Sequence, residues 1–252
     1  MTTKFKVVIP ARYDSTRLPG KPLISLAGKP MIAHVCDRAN EADAEQVVVA
    51  TDDQRIFDVV TDLGIDSVMT SNSHQSGTER IAEVAQVYNW KNEDIIVNLQ
   101  GDEPLLPAKY IQQVAAALTG NSQAKVATLA AEISDIDDVF NSNIVKVVLD
   151  KNGYALYFSR APIPWNRDEF TDKRNRKVSG HLRHIGLYAY TVEFLNLYVA
   201  WQKSALEVCE SLEQLRILWY GEAINVQIVP EVPEGGVDTA DDVIRVDKLL
   251  LN

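Results

Sequence analysis

A short apolar strand pattern that runs directly into a basic, proline-stiffened loop constrains this chain more than any other feature. The stretch from Val7 to Leu23 reads VVIPARYDSTRLPGKPL, and its loop carries Arg12, Arg17 and Lys21. Prolines fix φ and a glycine permits close backbone approach, so these cations lie on a stiff loop. Because ligands of open α/β sheets bind at the carboxyl ends of strands, we expect this loop to act as a polyphosphate clamp.

The charge distribution indicates the same kind of ligand. Residues 1–30 contain six Lys or Arg and one Asp, a formal charge of +5, whereas the 252-residue chain has a formal net charge of −10. This acidic balance disfavours nucleic-acid binding, which normally needs a basic face. The loop also lacks the P-loop pattern, because Lys21 and Lys29 are each followed by proline. We therefore expect a small anionic ligand and disfavour a P-loop kinase or ATPase.

Strand patterns alternate with amphipathic helical patterns along the chain. Strands are predicted at 46–50, 95–99, 125–132, 144–149, 185–190 and 224–229, and helices at 30–41, 53–63, 77–88 and 107–118. The alternation predicts an α/β fold with a mostly parallel central sheet flanked by helices. We expect one domain over 1–252, with an aromatic, strand-rich stretch at 153–201 that forms either a subdomain or a dimer surface. The polar stretch 166–179 predicts a mobile insertion.

Other features bound the class of protein. No apolar run approaches the roughly 20 residues needed to cross a bilayer, and the amino terminus lacks a signal-peptide profile. We therefore predict a cytoplasmic protein. Cys36 and Cys209 are too few and too far apart for a disulfide framework or a zinc site, so both are predicted to be small buried residues.

Two acidic segments supply candidate metal ligands. Asp102 follows the strand pattern at 95–99, and Asp238 lies just before a Thr239–Asp242 capping box that opens a terminal helix. Mg²⁺ prefers carboxylate oxygens together with substrate phosphates, so Asp102 and Asp238 are candidate ligands of a nucleotide-bound metal. The structural alternative is that both acids only form turns.

Further motifs combine polar with apolar residues. HQSGTER places a small polar turn before a helix; its exposed backbone amides can read a base edge, and Ser76 or Thr78 can serve as the N-cap. In SLEQLRILWYG the predicted helix buries a stripe of apolar residues beside two polar ones. The stripe consists of Leu212, Leu215, Leu218 and Trp219, and the neighbouring polar residues are Glu213 and Gln214.

Taken in order, IPARYDSTRLPGKPL, HQSGTER, VNLQGDEP, ALYFSRAPIPW, RHIGLYAY, LEQLR and GVDT resemble the 3-deoxy-manno-octulosonate (Kdo) cytidylyltransferases of Gram-negative bacteria nearly end to end. The resemblance implies a Rossmann-like nucleotidyltransferase fold with a smaller strand-rich region for dimerisation and sugar binding. It also implies a homodimer, dependence on Mg²⁺, and the conversion of CTP and Kdo to CMP-Kdo and pyrophosphate for lipopolysaccharide synthesis.

The resemblance also assigns roles to individual residues. It implies triphosphate contacts by Arg12, Arg17 and Lys21, with the Ala11 backbone and the turn Ser76, Gly77 and Thr78 near cytosine. Gln100 is implied to contact a sugar or ribose, and Asp102 and Asp238 to hold Mg²⁺. Arg12, Lys21, Asp102 and Asp238 are the candidate catalytic residues, and the sugar-acid pocket is implied to contain Arg160, His184, Glu213 and Gln214.

Other functions remain open from the residues. One is a cytidylyltransferase for another acidic sugar, such as 8-amino-Kdo or a sialic acid. A sugar-1-phosphate nucleotidyltransferase fits less well, since its acceptor is a phosphate. A nucleotide-sensing module that binds without turnover would keep the cationic loop, but a triphosphate-binding module has little use for two additional carboxylates.

Overall fold

The structure is a computed structural model that describes residues 3–14, 18–74, 76–121, 123–170 and 177–251. Its strands are β1 Lys6–Ala11, β2 Ser25–Leu26, β3 Lys29–Pro30, β4 Gln46–Thr51, β5 Asp66–Met69, β6 Ile95–Asn98, β7 Ala124–Glu132, β8 Lys146–Leu149, β9 Ala155–Ser159, β10 Leu182–Thr191 and β11 Ala223–Val229. Its α-helices are α1 Met31–Glu41, α2 Gln54–Asp62, α3 Gly77–Val87, α4 Ala108–Ala116, α5 Ile136–Phe140, α6 Val192–Tyr198, α7 Ala205–Glu210, α8 Leu215–Trp219 and α9 Ala240–Leu250. The predicted mixed α/β fold with a mostly parallel sheet is confirmed.

The chain divides into two compact units. The first comprises residues 1–116, 189–199 and 233–252, and the second comprises 117–188 and 200–232. Strand β10 therefore contributes residues to both. We expected a single domain over 1–252 and a strand-rich stretch at 153–201. The boundaries of the two units differ from both, and both stay predictions.

The first unit contains a parallel sheet, and its strand β1 runs into the basic loop. Its sheet has the order β6-β1-β4-β5, and each neighbouring pair is parallel. Val7, Val8 and Ile9 on β1 are fully buried, because the central strand of a parallel sheet is covered on both faces. The carboxyl ends of β1 and β6 therefore lie side by side, which places the loops after Ala11 and Asn98 together.

The second unit combines a parallel pair with an antiparallel extension. Strands β7 and β11 are parallel, whereas β8 pairs antiparallel with both β10 and β9. Helix α5 packs its apolar face into a cluster with residues that precede and follow it. The buried members of this cluster are Ile133, Val139, Ile144 and Phe170.

Two burial predictions are wrong in part. Trp219 was expected in the buried stripe, but it is 56% exposed, because α8 begins only at Leu215 and buries Leu215, Arg216 and Ile217 instead. The helix can bury Arg216 because its guanidinium pairs with the buried carboxylate of Glu207. Cys36 is buried as expected, whereas Cys209 is exposed on α7.

Among the residues that the structure describes, none of the helices has the length and apolar character needed to span a bilayer. The cytoplasmic location stays a prediction.

Candidate active site

A cleft of about 300 Å³ opens in the first unit where β1 and β6 end. Basic, acidic and small residues share its wall, as expected for a site that holds a charged ligand against the backbone. The lining residues are Pro10, Ala11, Arg12, Asp14, Lys21, Pro22, Ser76, Gly77, Gln100, Gly101 and Asp102. The structure therefore brings six predicted nucleotide contacts and the predicted metal ligand Asp102 into one cavity. Arg17 lies outside the described residues.

Lys21 joins the basic loop to both acidic segments. Its Nζ atom donates to Asp102 Oδ2 at 2.6 Å, to the Val237 carbonyl at 2.8 Å and to Asp238 Oδ1 at 3.1 Å. Burial opposes the charge on Lys21, but the hydrogen bonds and negative charges of Asp102 and Asp238 outweigh it, so the pKa of Lys21 is raised. The two predicted carboxylates thus converge on one cation, although they are 136 positions apart in the sequence.

Two glycines allow this convergence. A Cβ atom on Gly101 would lie 2.8 Å from the Pro10 carbonyl oxygen, and one on Gly236 would lie 2.6 Å from the Asp102 carbonyl oxygen. Real side chains do not tolerate such distances to backbone. The glycines therefore let the segment after β6 pack against both the end of β1 and the loop that carries Asp238.

An apolar anchor fixes the loop before Asp238. Val237 is 1% exposed and packs in a cluster with Leu26, Met31 and Val246 of α9. Its N–H donates to the Asp102 carbonyl at 2.9 Å, and its own carbonyl accepts from Lys21. Burial of this valine thereby holds the next residue, Asp238, beside Lys21, which lines the cleft.

The Thr239–Asp242 capping box forms as predicted at the start of α9. Hydrogen bonding to Thr239 outweighs the effect of burial and lowers the pKa of Asp242 to about 2. Since Asp242 and Thr239 satisfy the helix start themselves, the side chain of Asp238 is available to Lys21.

Glu103 is a carboxyl group that the sequence did not assign to the site. Burial, together with the negative charges of Asp102 and Asp238, raises its pKa to about 7, against the opposing effect of Lys21 and Arg245. Its position directly after Asp102 was the available signal. Burial and the neighbouring negative charge together therefore favour the protonated form of this carboxyl group more than in an exposed glutamate.

Arg12 is held against the segment that precedes α3. Its Nη2 donates to the main-chain carbonyl of His74, and the His74 ring is hydrogen-bonded to Glu83. Glu83 also accepts from the N–H of Ser71 at 3.0 Å, so the segment 71–74 is tied to α3. The position of the Arg12 guanidinium thus depends on a carbonyl whose role the sequence did not indicate.

The start of α3 faces the same cleft. Ser76 is the N-cap and accepts from the N–H of Glu79, and Gly77 lies against the Pro10 side chain. Both residues line the cleft, whereas Thr78 is buried and does not. The N-terminus of a helix carries partial positive charge and unpaired N–H groups, so this end of α3 suits an electronegative ligand atom.

A buried arginine ties α3 to two strand ends. Arg80 is fully buried; its Nη2 donates to Asp52 Oδ2 at 2.6 Å and its Nη1 to the Thr70 hydroxyl. Asp52 follows β4 and Thr70 follows β5. Arg80 therefore links the carboxyl ends of β4 and β5 to α3 and holds the start of this helix near the edge of the sheet.

Gln100 occupies the cleft wall after β6. Its Nε2 donates to Asn98 Oδ1 at 3.3 Å, which leaves its amide oxygen available to a ligand hydroxyl. Together with the Ala11 backbone, it forms the polar wall between the two strand ends.

The predicted sugar-acid residues all lie in the second unit. Arg160 follows β9; its Nε donates to the Glu210 carbonyl at 2.8 Å and its Nη1 to the Ser142 carbonyl at 3.0 Å. In the part of the chain that is described, its guanidinium has no ion pair with a carboxylate. Its side chain is therefore bound through main-chain oxygens.

His184 lies on β10 between aromatic rings. Its Nε2 is 3.0 Å from the Thr128 hydroxyl, and the rings of Phe158 and Tyr188 lie against it. Burial lowers the pKa of His184 to about 3, so the imidazole is neutral at neutral pH. The Thr128 hydroxyl reaches the carbonyls of Ile185 and Leu187, so it accepts from Nε2–H and leaves Nδ1 as an acceptor.

Glu213 and Gln214 lie in the turn before α8. Gln214 is buried and stands at the N-cap position, but its side chain does not cap the helix. Glu213 is partly exposed. The helix start therefore does not account for the presence of glutamine at position 214.

Within the described ranges, no group of three or more His, Cys, Asp or Glu side chains could hold a metal ion by itself. Asp102 and Asp238 nevertheless place two carboxylate oxygens around one cation, the Lys21 ammonium. Such hard oxygen donors fit Mg²⁺, which binds proteins through one or two carboxylates and takes further ligands from substrate phosphates and water.

The chain is similar to known cytidylyltransferases. A family model described as cytidylyltransferase matches residues 6–224. A 3-deoxy-manno-octulosonate cytidylyltransferase from Pasteurella multocida (strain Pm70) is 53% identical over 256 residues, covering 98% of this chain and 99% of that protein. One from Tolumonas auensis is 55% identical over 98% of this chain and 97% of its own length.

A solved structure is similar over the same length. It is described as CMP:2-keto-3-deoxy-manno-octonic acid synthetase complexed with CTP, and it matches with a TM-score of 0.89 and 39% identity over 98% of both chains. Sequence and fold therefore agree over nearly the whole chain. This chain belongs to the cytidylyltransferase family, among the 3-deoxy-manno-octulosonate cytidylyltransferases.

Proposed function

We propose that this protein transfers CMP from CTP to the anomeric hydroxyl of Kdo and releases pyrophosphate, giving CMP-Kdo for lipopolysaccharide synthesis. The observation that carries the proposal is the cleft at the ends of β1 and β6, where Arg12, Lys21, Asp102 and the start of α3 meet. A CTP-bound structure with a TM-score of 0.89 supports the same nucleotide.

The reaction is a displacement at phosphorus. The anomeric oxygen of Kdo forms a bond to the α-phosphorus of CTP and loses its proton, while the bond from that phosphorus to the bridging oxygen breaks and pyrophosphate leaves. Such transfers depend on alignment and on stabilisation of charge. Arg12 and Lys21 supply positive charge to the triphosphate, and Arg17 is assigned the same role from the sequence.

The start of α3 and the loop after β1 are assigned to the base. Ser76 and Gly77, with the Ala11 backbone, line the cleft and offer main-chain groups to cytosine. Thr78 is assigned a supporting position in α3, because its side chain is buried away from the lining. Gln100 offers an amide oxygen to a ribose or sugar hydroxyl.

We propose Asp102 and Asp238 as the residues that hold Mg²⁺. When bound, the ion supplies Lewis-acid stabilisation to phosphate oxygens and favours deprotonation of a bound hydroxyl. Lys21 balances the charge of both carboxylates before substrate arrives, and it contributes its own charge to the triphosphate.

The sugar acid is assigned to the second unit. Arg160 carries a guanidinium without a carboxylate partner in the described chain, which suits the substrate carboxylate. His184 is neutral and offers Nδ1 as an acceptor to a sugar hydroxyl. Glu213 and Gln214 provide further hydrogen-bonding groups.

The decisive experiment measures pyrophosphate release with four nucleoside triphosphates and a panel of sugars, with and without Mg²⁺. We expect release only with CTP, Kdo and Mg²⁺ together. Equal activity with 8-amino-Kdo or a sialic acid would contradict the assignment of Kdo as the acceptor. CTP binding without turnover for any sugar would indicate a nucleotide-sensing module instead of an enzyme.

We also propose a homodimer. The second unit exposes large apolar side chains, as expected of an association surface. They include Leu156, Val208, Trp219 and Ile228. Light scattering should give twice the chain mass of 28.1 kDa, and Trp219→Glu should shift the protein toward that single mass.

A further inference from the structure

The main chain around Arg160 is held by a single carboxylate. Glu210 Oε2 accepts from the Arg160 N–H at 2.9 Å, and Glu210 Oε1 accepts from the Ser159 hydroxyl at 2.5 Å. The main-chain carbonyl of Glu210 accepts from Arg160 Nε at 2.8 Å. The carboxylate thus binds the backbone of the arginine and leaves the guanidinium charge unpaired.

A buried lysine fixes the other side of the same arginine. Lys146 is 0% exposed, and its ammonium donates to the carbonyls of Asn141 at 2.9 Å, Ile144 at 2.6 Å and Arg160 at 2.7 Å. All three of its protons therefore go to main-chain oxygens. A lysine buried in this way costs free energy, so a role beyond packing is expected of it.

The lysine also controls a carbonyl that the guanidinium uses. Asn141 and Ile144, both bound by Lys146, bracket Ser142, whose carbonyl accepts from Arg160 Nη1 at 3.0 Å. Ile144 is buried in the apolar cluster of α5, which anchors this turn. Two of the three guanidinium nitrogens are thus fixed, while Nη2 has no hydrogen-bond partner among the described residues.

We propose that Glu210 and Lys146 are positioning residues that hold Arg160 so that the free edge of its guanidinium receives the carboxylate of the acidic sugar. This inference rests on the proposed function, which assigns Arg160 to that carboxylate. Glu210 fixes the backbone and Nε of the arginine, and Lys146 fixes its carbonyl and the turn that supports Nη1. Neither residue needs to touch the substrate.

The test uses Glu210→Gln, which preserves shape. Its amide oxygen can still accept from Ser159, but its NH₂ group meets the Arg160 N–H, so one hydrogen bond is lost. We expect the KM for Kdo to rise about 10-fold, with kcat and the KM for CTP within about 2-fold of wild type. Glu132→Gln, at an exposed site on β7, serves as the matched control and should leave all three constants unchanged.

A double-mutant cycle separates positioning from a general structural effect. Arg160→Ala should raise the KM for Kdo about 100-fold, as expected for a lost charge-assisted pair. If Glu210 acts through Arg160, adding Glu210→Gln to Arg160→Ala should change this KM by less than about 2-fold. The inference would be overturned if the effects of the two substitutions on the KM for Kdo multiplied in the double variant. It would also be overturned if Glu210→Gln raised the KM for CTP as much as the KM for Kdo.

Lys146→Met provides an independent measurement in the same cycle. We expect the same selective rise in the KM for Kdo, absent when Arg160 is already alanine, with Lys151→Met as the exposed control. Absence of Kdo-dependent turnover in the wild-type protein would instead contradict the proposed function. A wild-type KM for Kdo in Arg160→Ala would contradict the assignment of Arg160 to the substrate carboxylate. The positioning roles of Glu210 and Lys146 would then be wrong as well.

Discussion

The candidate-site lysine of the first unit and the candidate-site arginine of the second unit are held in different ways. In the first unit, the Lys21 ammonium lies between the carboxylates of Asp102 and Asp238, so opposite charges neutralise each other directly. In the second unit, Lys146 and Arg160 donate to main-chain carbonyls, and the nearby carboxylate of Glu210 binds backbone and hydroxyl groups. The first arrangement suits a ligand that brings its own cation, and the second suits a bare anion.

This difference follows from what each ligand carries. A nucleoside triphosphate needs positive charge, but its metal needs carboxylates, so the site must contain both signs in balance. A sugar acid brings a single carboxylate, and a guanidinium without a competing carboxylate retains most attraction for it.

The largest effect is expected for the first unit. Asp102→Asn should lower Mg²⁺-dependent turnover at least about 1,000-fold, because a bound metal contributes several kcal/mol to such a transition state. The thermal midpoint should change little, since asparagine still accepts from Lys21. Titration of turnover with Mg²⁺ and a melting curve provide the measurement, with exposed Asp62→Asn as control.

A matching loss of stability in Asp102→Asn would mean that the carboxylate serves folding. The contrast between the two units would then lose its functional basis.

Arg12→Ala should have the next largest effect. We expect kcat/KM for CTP to fall by an amount equivalent to about 3 kcal/mol of transition-state stabilisation, comparable to removal of one preorganised donor. The fold should stay intact. The exposed Arg38–Glu41 pair on α1 offers a control in Arg38→Ala, which should retain normal kinetics. Near-normal kinetics of Arg12→Ala would remove the polyphosphate clamp from the first unit.

Gly236→Ala tests how closely the carboxylate loops must approach. The added Cβ would lie 2.6 Å from the Asp102 carbonyl oxygen, so we expect a loss of about 2 kcal/mol in the free energy of unfolding and lower turnover. Gly186→Ala is the control, because nothing lies within 4 Å of its Cβ position. Urea unfolding that is equal for the two variants would show that the loops can separate at no cost.

The smallest effect concerns the neutral imidazole of the second unit. Burial lowers the pKa of His184 from its ordinary 6.5 to about 3, so the unfolded chain binds more protons than the folded one between these values. The stabilisation is complete above pH 6.5 and is lost as the pH falls toward 3. We expect His184 to contribute a slope of about 1 kcal/mol per pH unit there.

Urea unfolding at pH 7, 6 and 5 checks this slope. His184→Gln should lack it, whereas exposed Lys151→Gln should keep it. An unchanged slope in His184→Gln would mean that folding does not shift the pKa of this imidazole. The claim that a neutral His184 lies in the second unit at pH 5 would then be wrong.

Much of the fold could be predicted because its elements carry local signals. The apolar runs of β1, β4 and β6 and the capping box of α9 are properties of adjacent residues, and their bounds agree with the structure to within one or two positions. Trp219 shows the limit of such reasoning. Its place in an apolar pattern could not reveal that a buried Arg216–Glu207 pair occupies the inner face of α8.

The candidate site was predicted in its acids and bases but not in its supports. Lys21, Asp102 and Asp238 stood out because charged residues follow apolar strands or glycines. The carbonyls of His74, Val237 and Ser142 did not, since every residue has a carbonyl and only folding decides which one faces a cation.

The sequence by itself determined the alternation of strands and helices, the basic, proline-containing segment after β1, and the two acids that lie close to glycines, because each depends on neighbouring residues. Only the tertiary structure decided that Lys21 meets both acids at once and that Arg160 is held by Glu210 and Lys146 while its charge stays unpaired. These outcomes join residues from 14 to 217 positions apart, and such distances in the sequence are closed only by the packing of buried apolar groups.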